Sequence, residues 1–163
     1  MKSYNFIFKI LEYNILIDTS FYNKIKSWHL NKYDYNNNSY FNNPLQQELN
    51  SLVDNKLKNI FKENDCCLFD TWIQSYDNNQ FHDLHLHPES FMSFVWYIDC
   101  TDKSSETVFY NPGYPYIERN KLSIKPEKGK LVLFDSALPH HVLPNNDDQR
   151  LIISGNCNKD EHN

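Results

Sequence analysis

The sequence predicts a mainly β domain, a closed or double-sheet jelly roll with helices packed against one sheet. Two observations predict it. Helical periodicity is confined to the first 65 residues, and from Cys67 onward short apolar runs alternate with Asn, Asp, Pro and Gly turns. The runs cover residues 67–76, 81–87, 91–99, 106–110, 121–125, 130–135, 140–143 and 149–157, a set of short strands that suits this architecture.

Residues 5 to 17 alternate loosely enough for an extended strand. Asp18-Thr19-Ser20 then offers a helix cap, and a short helix is expected to reach about Leu30. The Asn-, Tyr- and Asp-rich stretch from Asn31 to Asn43 keeps neither period and reads as a loop. Asn43 offers a second cap, with Pro44 at the first helical position, where its missing N–H costs nothing. Leu45, Leu49, Leu52, Val53, Leu57, Ile60 and Phe61 recur on one face at helical spacing, as expected of a helix covering one side of a sheet. The 163 residues are expected to form one domain, with residues 1–65 as an N-terminal strand and supporting helices and residues 66–158 as the jelly-roll catalytic core.

Composition narrows the function. A net charge of −5 and a pI near 5.7 give no general attraction to nucleic acid or to anionic membranes. Cys66, Cys67, Cys100 and Cys157 include one adjacent pair and no Cys-x-x-Cys, the usage of reduced thiols in a cytoplasmic protein. The stretch Phe6 to Glu12 has charges inside its apolar run and no small-residue cleavage site. No run approaches the ~20 apolar residues of a membrane span.

The chemistry-bearing motif is His85-Leu86-His87, answered 53 residues later by His140 in Pro139-His140-His141. Residues i and i+2 of a strand project from one face, so the pair can hold one ion between them, with a third imidazole arriving from a neighbouring strand. Arg150 opens the apolar strand Leu151-Ile152-Ile153, with Ser154 and Asn156 on an alternating face. A charged group at the head of a buried strand wants an anionic partner, and a guanidinium matches a carboxylate with two parallel hydrogen bonds. Glu89 could add a carboxylate to the metal and Asp83 could orient an imidazole. His82 is expected beside the ligands or toward the substrate, and His141 pointing away. Trp72, Trp96, Tyr110, Tyr114 and Tyr116 are candidates for the cavity mouth.

The collinear segments Gln80 to Pro88, Ser93 to Ile98, Gly129 to Phe134, Pro139 to Pro144 and then Arg150 resemble the iron(II)- and 2-oxoglutarate-dependent oxygenases. They are most similar to short members from marine bacteria and cyanophages, and more distantly to prolyl hydroxylases. The resemblance spans residues 70 to 157. It implies a double-stranded β-helix, iron(II) held by His85, His87 and His140, and 2-oxoglutarate and O2 as co-reactants. Arg150 and Tyr97 would grip the far carboxylate of 2-oxoglutarate, with Ser154 as a weaker candidate, and Phe109 to Pro112 would lie beside the mouth. The activity implied is that of a dioxygenase hydroxylating a peptide side chain or a small molecule. One departure stands out: His87 occupies the place of the family's carboxylate, so the protein adds no negative charge at the metal. Two other readings use the same residues. A cupin-like three-histidine metalloprotein would bind metal without 2-oxoglutarate, and a non-catalytic jelly-roll binding or virion module would bind none; Arg150 and metal content discriminate among the three.

Overall fold

A computed structural model of the chain describes residues 8–30, 44–114 and 121–160. Among the described residues, nine strands and two helices follow one another as β1 (Ile10–Asn14), α1 (Thr19–Leu30), α2 (Pro44–Glu63), β2 (Cys66–Tyr76), β3 (His82–His85), β4 (Met92–Cys100), β5 (Thr107–Tyr110), β6 (Lys121–Ile124), β7 (Lys130–Asp135), β8 (His140–Val142) and β9 (Arg150–Lys159). They form a five-stranded sheet in the order β1-β7-β4-β9-β2 and a four-stranded sheet in the order β3-β8-β5-β6, with every pairing antiparallel. The fold is the expected jelly roll.

Alternation along the strands divides the core in two. Phe94, Trp96, Ile98, Leu131, Leu133, Leu151 and Ile153 pack toward the helices with Leu49, Val53, Leu57 and Phe61 of α2 and Phe21 and Ile25 of α1. Val95, Tyr97, Val132, Phe134 and Ile152 point the other way and meet Phe109 and Val142 of the smaller sheet and Leu138 of the β7–β8 connection. β4 is buried on both faces and therefore reads as an unbroken apolar run. Trp96, expected near the mouth, belongs to the helix-side core and is fully buried.

Both helices are fixed by polar anchors as well as by burial. The Asp18 carboxylate accepts the Phe21 N–H at 2.8 Å and caps α1 as expected. The Tyr22 hydroxyl donates to Asp99 at 2.6 Å, and buried Gln46 of α2 donates to the Thr71 carbonyl of β2. Leu45 departs from the expected apolar face and is exposed, while Gln46 beside it in the same turn is the residue buried against β2. Among the described residues the N-terminal strand pairs with β7 from Ile10 to Asn14 and does not continue to residue 17, and residues 5–7 of the expected strand lie outside them. The Asn31 to Asn43 loop, the Asn43 cap and Tyr116 lie outside the described residues. No described helix is long and apolar enough to cross a membrane.

Candidate metal centre

β3 and β8 pair at the edge of the smaller sheet with His85 opposite His140, and their rings stand 4.2 Å apart. His87 lies just past the end of β3, where its backbone N–H donates to the Ser136 carbonyl at 2.9 Å and brings its ring to 5.3 Å from that of His140. Each of the three offers a ligand atom, and these atoms all lie within 4.8 Å of one another. The backbone orients two of the rings. His85 Nδ1–H donates to the Asp83 carbonyl at 2.7 Å and His140 Nδ1–H to the Leu138 carbonyl at 2.9 Å, which leaves Nε2 of each with its lone pair. Asp83 thus orients His85 through its main chain, and its carboxylate plays no part in that bond.

Burial also keeps two of the imidazoles in the form a metal requires. It pushes the His140 pKa down to about 3 and that of His87 down to about 4, with the neighbouring His85 acting in the same direction on both. Neutral rings at physiological pH have lone pairs to give. Glu89 is exposed, and no carboxylate joins the cluster among the described residues.

The cavity that holds these rings reaches Arg150, Thr107, Tyr76, Gln74, Trp72 and Ser154. Arg150 is 1% exposed. Its guanidinium lies 4.5 Å over the Tyr76 ring and 5.4 Å over that of Tyr97. One nitrogen donates to Thr107 Oγ1 at 3.0 Å, whereas Nε and the other terminal nitrogen are buried without partners. Among the described residues no acidic side chain forms an ion pair with it. A buried cation with two idle donors is a cradle for a carboxylate. Three imidazoles beside that cradle fit a divalent metal and an oxo-acid bound together.

Not every expected residue faces this space. Ser154 lines the cavity, while Tyr97 lies beneath the guanidinium, its hydroxyl 2.7 Å from Thr107 Oγ1. Tyr76 lines the cavity and pairs with Arg150 across the β2–β9 ladder, a position that local sequence does not advertise; burial pushes its phenol up to about 12 despite the guanidinium. Thr107 and Gln74 were equally invisible. His82 stacks on His85 at 4.2 Å and accepts from Gln74 Nε2 at 3.2 Å, so it supports the ligand set from beside it. His141 points away, toward the Tyr110 hydroxyl at 3.3 Å. Tyr110 packs on Tyr114 and, with Phe109, Asn111 and Pro112, lines a separate cleft.

The family model described as "Putative 2OG-Fe(II) oxygenase" matches residues 70–156, more than half of the chain. Among curated proteins none matches significantly. A 2OG-Fe(II) oxygenase-family oxidoreductase from Burkholderia pseudomallei has a similar structure, with 18% identity and a TM-score of 0.58 over 69% of this chain. The chain spans only 55% of that protein's length. A Pseudomonas putida prolyl-4-hydroxylase is similar over 92% of this chain and 87% of its own, with 15% identity and a TM-score of 0.64. HygX from Streptomyces hygroscopicus, solved with nickel and 2-oxoglutarate bound, is similar over 92% of this chain and 81% of its own, with 11% identity and a TM-score of 0.65. At these identities the likeness is one of fold.

Proposed function

This chain belongs to the 2OG-Fe(II) oxygenase family, and from that premise we propose that it is an iron(II)- and 2-oxoglutarate-dependent hydroxylase whose iron is held by His85, His87 and His140. The observation that carries the assignment is one cavity with two complementary ends. Three imidazole ligand atoms gather within 4.8 Å at one end, and Arg150, with two idle buried nitrogens, closes the other. The catalytic unit is residues 66–158, with residues 1–65 as its supporting layer. The substrate is a peptide side chain or a small molecule.

Iron(II) with 2-oxoglutarate supplies the oxidising chemistry: O2 is consumed, one oxygen atom enters a substrate C–H bond, and 2-oxoglutarate leaves as succinate and CO2. The chain's own residues bind, orient and exclude. Asp83 and Leu138 carbonyls hold Nδ1–H of His85 and His140, which fixes the tautomer and presents Nε2. Arg150 takes the far carboxylate of 2-oxoglutarate with the nitrogens that now lack partners, while Thr107 keeps the fork in one orientation. Tyr97 steadies Thr107 from below, and Ser154 offers a hydroxyl on the same wall. Val95, Phe134 and Ile152 keep the walls apolar, so the charged groups act in a space poor in water. A three-histidine metalloprotein without 2-oxoglutarate would have no use for the unpaired guanidinium.

The test is an anaerobic titration of iron(II) into metal-free protein, followed by 2-oxoglutarate, watching for the visible charge-transfer band of the chelated keto acid. A saturable band that His140→Ala removes is the expected result. Metal binding with no band at saturating 2-oxoglutarate would overturn the assignment in favour of the metalloprotein, and no metal binding in favour of a non-catalytic module.

A further inference from the structure

The inner face of β2 carries one acidic side chain that the site described above leaves unused. Across the β2–β9 ladder, Tyr76, Gln74, Trp72 and Asp70 stand opposite Arg150, Ile152, Ser154 and Asn156. The first three of each set line the cavity. Asp70 is the next residue on that face, ~7 Å beyond Trp72 along the strand and on the side away from Arg150. Its partner Asn156 accepts a hydrogen bond from Ser93 at 2.8 Å, and the Ser93 and Ser136 hydroxyls are 2.8 Å apart. Ser136 also holds the His87 N–H through its carbonyl, so Asp70 belongs to the polar rim on which His87 is mounted. β2 shifts register between Leu68 and Asp70, and Phe69 between them is exposed. Bulges of this kind re-aim side chains next to active sites.

The surroundings of Asp70 are incomplete. Its Oδ1 is buried and has no hydrogen-bond partner, and among the described residues it makes no ion pair. Burial raises the pKa of its carboxyl, opposed by hydrogen bonds from Asn156 and by no cation. A single carboxylate is too few for an inorganic divalent ion, and Asp70 stands outside the cluster of metal-ligating atoms. The Trp72 ring lies one step below it, with its centroid 6.0 Å from that of His87. A half-buried carboxylate next to an indole on one face of a strand offers an organic cation a charge-assisted hydrogen bond and the face of a ring.

We propose that Asp70 and Trp72 form a substrate-recognition point for an organic ammonium or guanidinium group, so that the preferred substrate is basic and its cation is gripped at the rim while a neighbouring C–H bond reaches the metal. This rests on the oxygenase assignment for the reaction, and on the strand register and the one carboxylate oxygen left without a partner for the specificity. Lysyl or arginyl side chains of a peptide and small aliphatic amines share the required chemistry.

Binding is measured by saturation-transfer NMR on the anaerobic iron(II)- and 2-oxoglutarate-loaded protein and on the metal-free protein. The probes are two matched pairs: Nα-acetyl-lysine methylamide against its norleucine counterpart, and n-pentylamine against n-pentanol. At least one ammonium probe is expected to bind about tenfold or more tightly than its neutral partner. The pair with the larger ratio tells a peptidyl from a small-molecule source. Asp70→Asn, which keeps the side chain's shape, should abolish the preference and leave the charge-transfer band intact. Equal binding of charged and neutral probes in the wild type, which requires no variant, would overturn the proposal. So would a preference that survives Asp70→Asn, or a variant that loses iron(II) and 2-oxoglutarate binding as fully as the ammonium. A wild-type protein that shows the ammonium preference without the band would sink the oxygenase assignment and leave the cation site standing.

Discussion

Replacing Arg150 by Met separates a cosubstrate anchor from a structural arginine, because the two roles predict opposite signs. The guanidinium is buried, with one hydrogen bond to Thr107, two tyrosine faces and no carboxylate. Holding an unpaired cation in such a place costs several kcal/mol. Two cation–π contacts at up to ~2 kcal/mol each and one hydrogen bond near ~1 kcal/mol return most of that. Methionine fills similar space without a charge, and Thr107 retains the Tyr97 hydroxyl as a partner. Arg150→Met should therefore leave the metal-free, cosubstrate-free protein within ~1 kcal/mol of wild type in urea unfolding. Cosubstrate binding should collapse. Two charge-assisted hydrogen bonds at roughly 1.5–3 kcal/mol each amount to a loss of about 10²- to 10⁴-fold in 2-oxoglutarate affinity. The assay is an anaerobic 2-oxoglutarate titration, paired with thermal unfolding in nickel(II) and 2-oxoglutarate. A ligand at a hundred times its Kd adds about 2.7 kcal/mol to wild type, and the variant should gain only the metal's share. A variant destabilised by ~3 kcal/mol or more that still binds 2-oxoglutarate normally would refute the reasoning.

The proposed metal ligands and the buried phenol give two further expectations. His87→Asp places one negative charge in the ligand cluster and should raise iron(II) retention by about tenfold or more while narrowing any preference for zinc; metal content after dialysis against equimolar iron(II) and zinc(II) reads it, and an unchanged ratio would remove His87 from the ligand set. Tyr76 has its pKa raised from 10.0 to about 12 in the folded protein, chiefly by burial. Below pH 10 its phenol is protonated in both states. Between about pH 10 and 12 only the unfolded chain ionises, so stability falls as pH rises through that window, by roughly 2–3 kcal/mol for this group. Tyr97 acts in the same direction. Tyr76→Phe should decline less steeply than wild type in urea midpoints between pH 9 and 12, and parallel curves would mean that the phenol is not buried as the structure has it.

The sequence made legible whatever local pattern encodes. Leu131-Val132-Leu133-Phe134 could be read as a strand because its alternate residues fill two cores. His85-x-His87 could be read as a ligand pair because two residues of spacing suffice to converge, although His87 reaches the cluster from a turn tied to Ser136 rather than from the strand itself. What stayed hidden depends on cross-strand register, which no single segment specifies. Tyr76 is one of eleven tyrosines, and only the β2–β9 ladder sets it against Arg150. Thr107 and Asp70 are likewise ordinary residues until their partners from distant strands arrive. Trp96 looked available for the mouth because alternation along a strand buried on both faces leaves open which side meets the helices.

One irregularity explains why the guanidinium is left unpaired. From Met92 to Tyr97, β4 and β9 keep a constant register, with Trp96 opposite Ile153 and Tyr97 opposite Ile152. Continued without a break, that register would set Asp99 opposite Arg150 and close the pair internally. Instead the ladder shifts between Tyr97 and Asp99, so that Asp99 stands opposite Leu151 and Cys100 opposite Arg150. The extra residue turns Asp99 toward α1, where it accepts the Tyr22 hydroxyl at 2.6 Å, and Arg150 is left with a thiol as its cross-strand neighbour. A bulge disrupts the ladder locally and is retained where the re-aimed side chain matters. Here it withholds the internal carboxylate that would neutralise Arg150, and leaves the cation for the acid we propose to enter from outside.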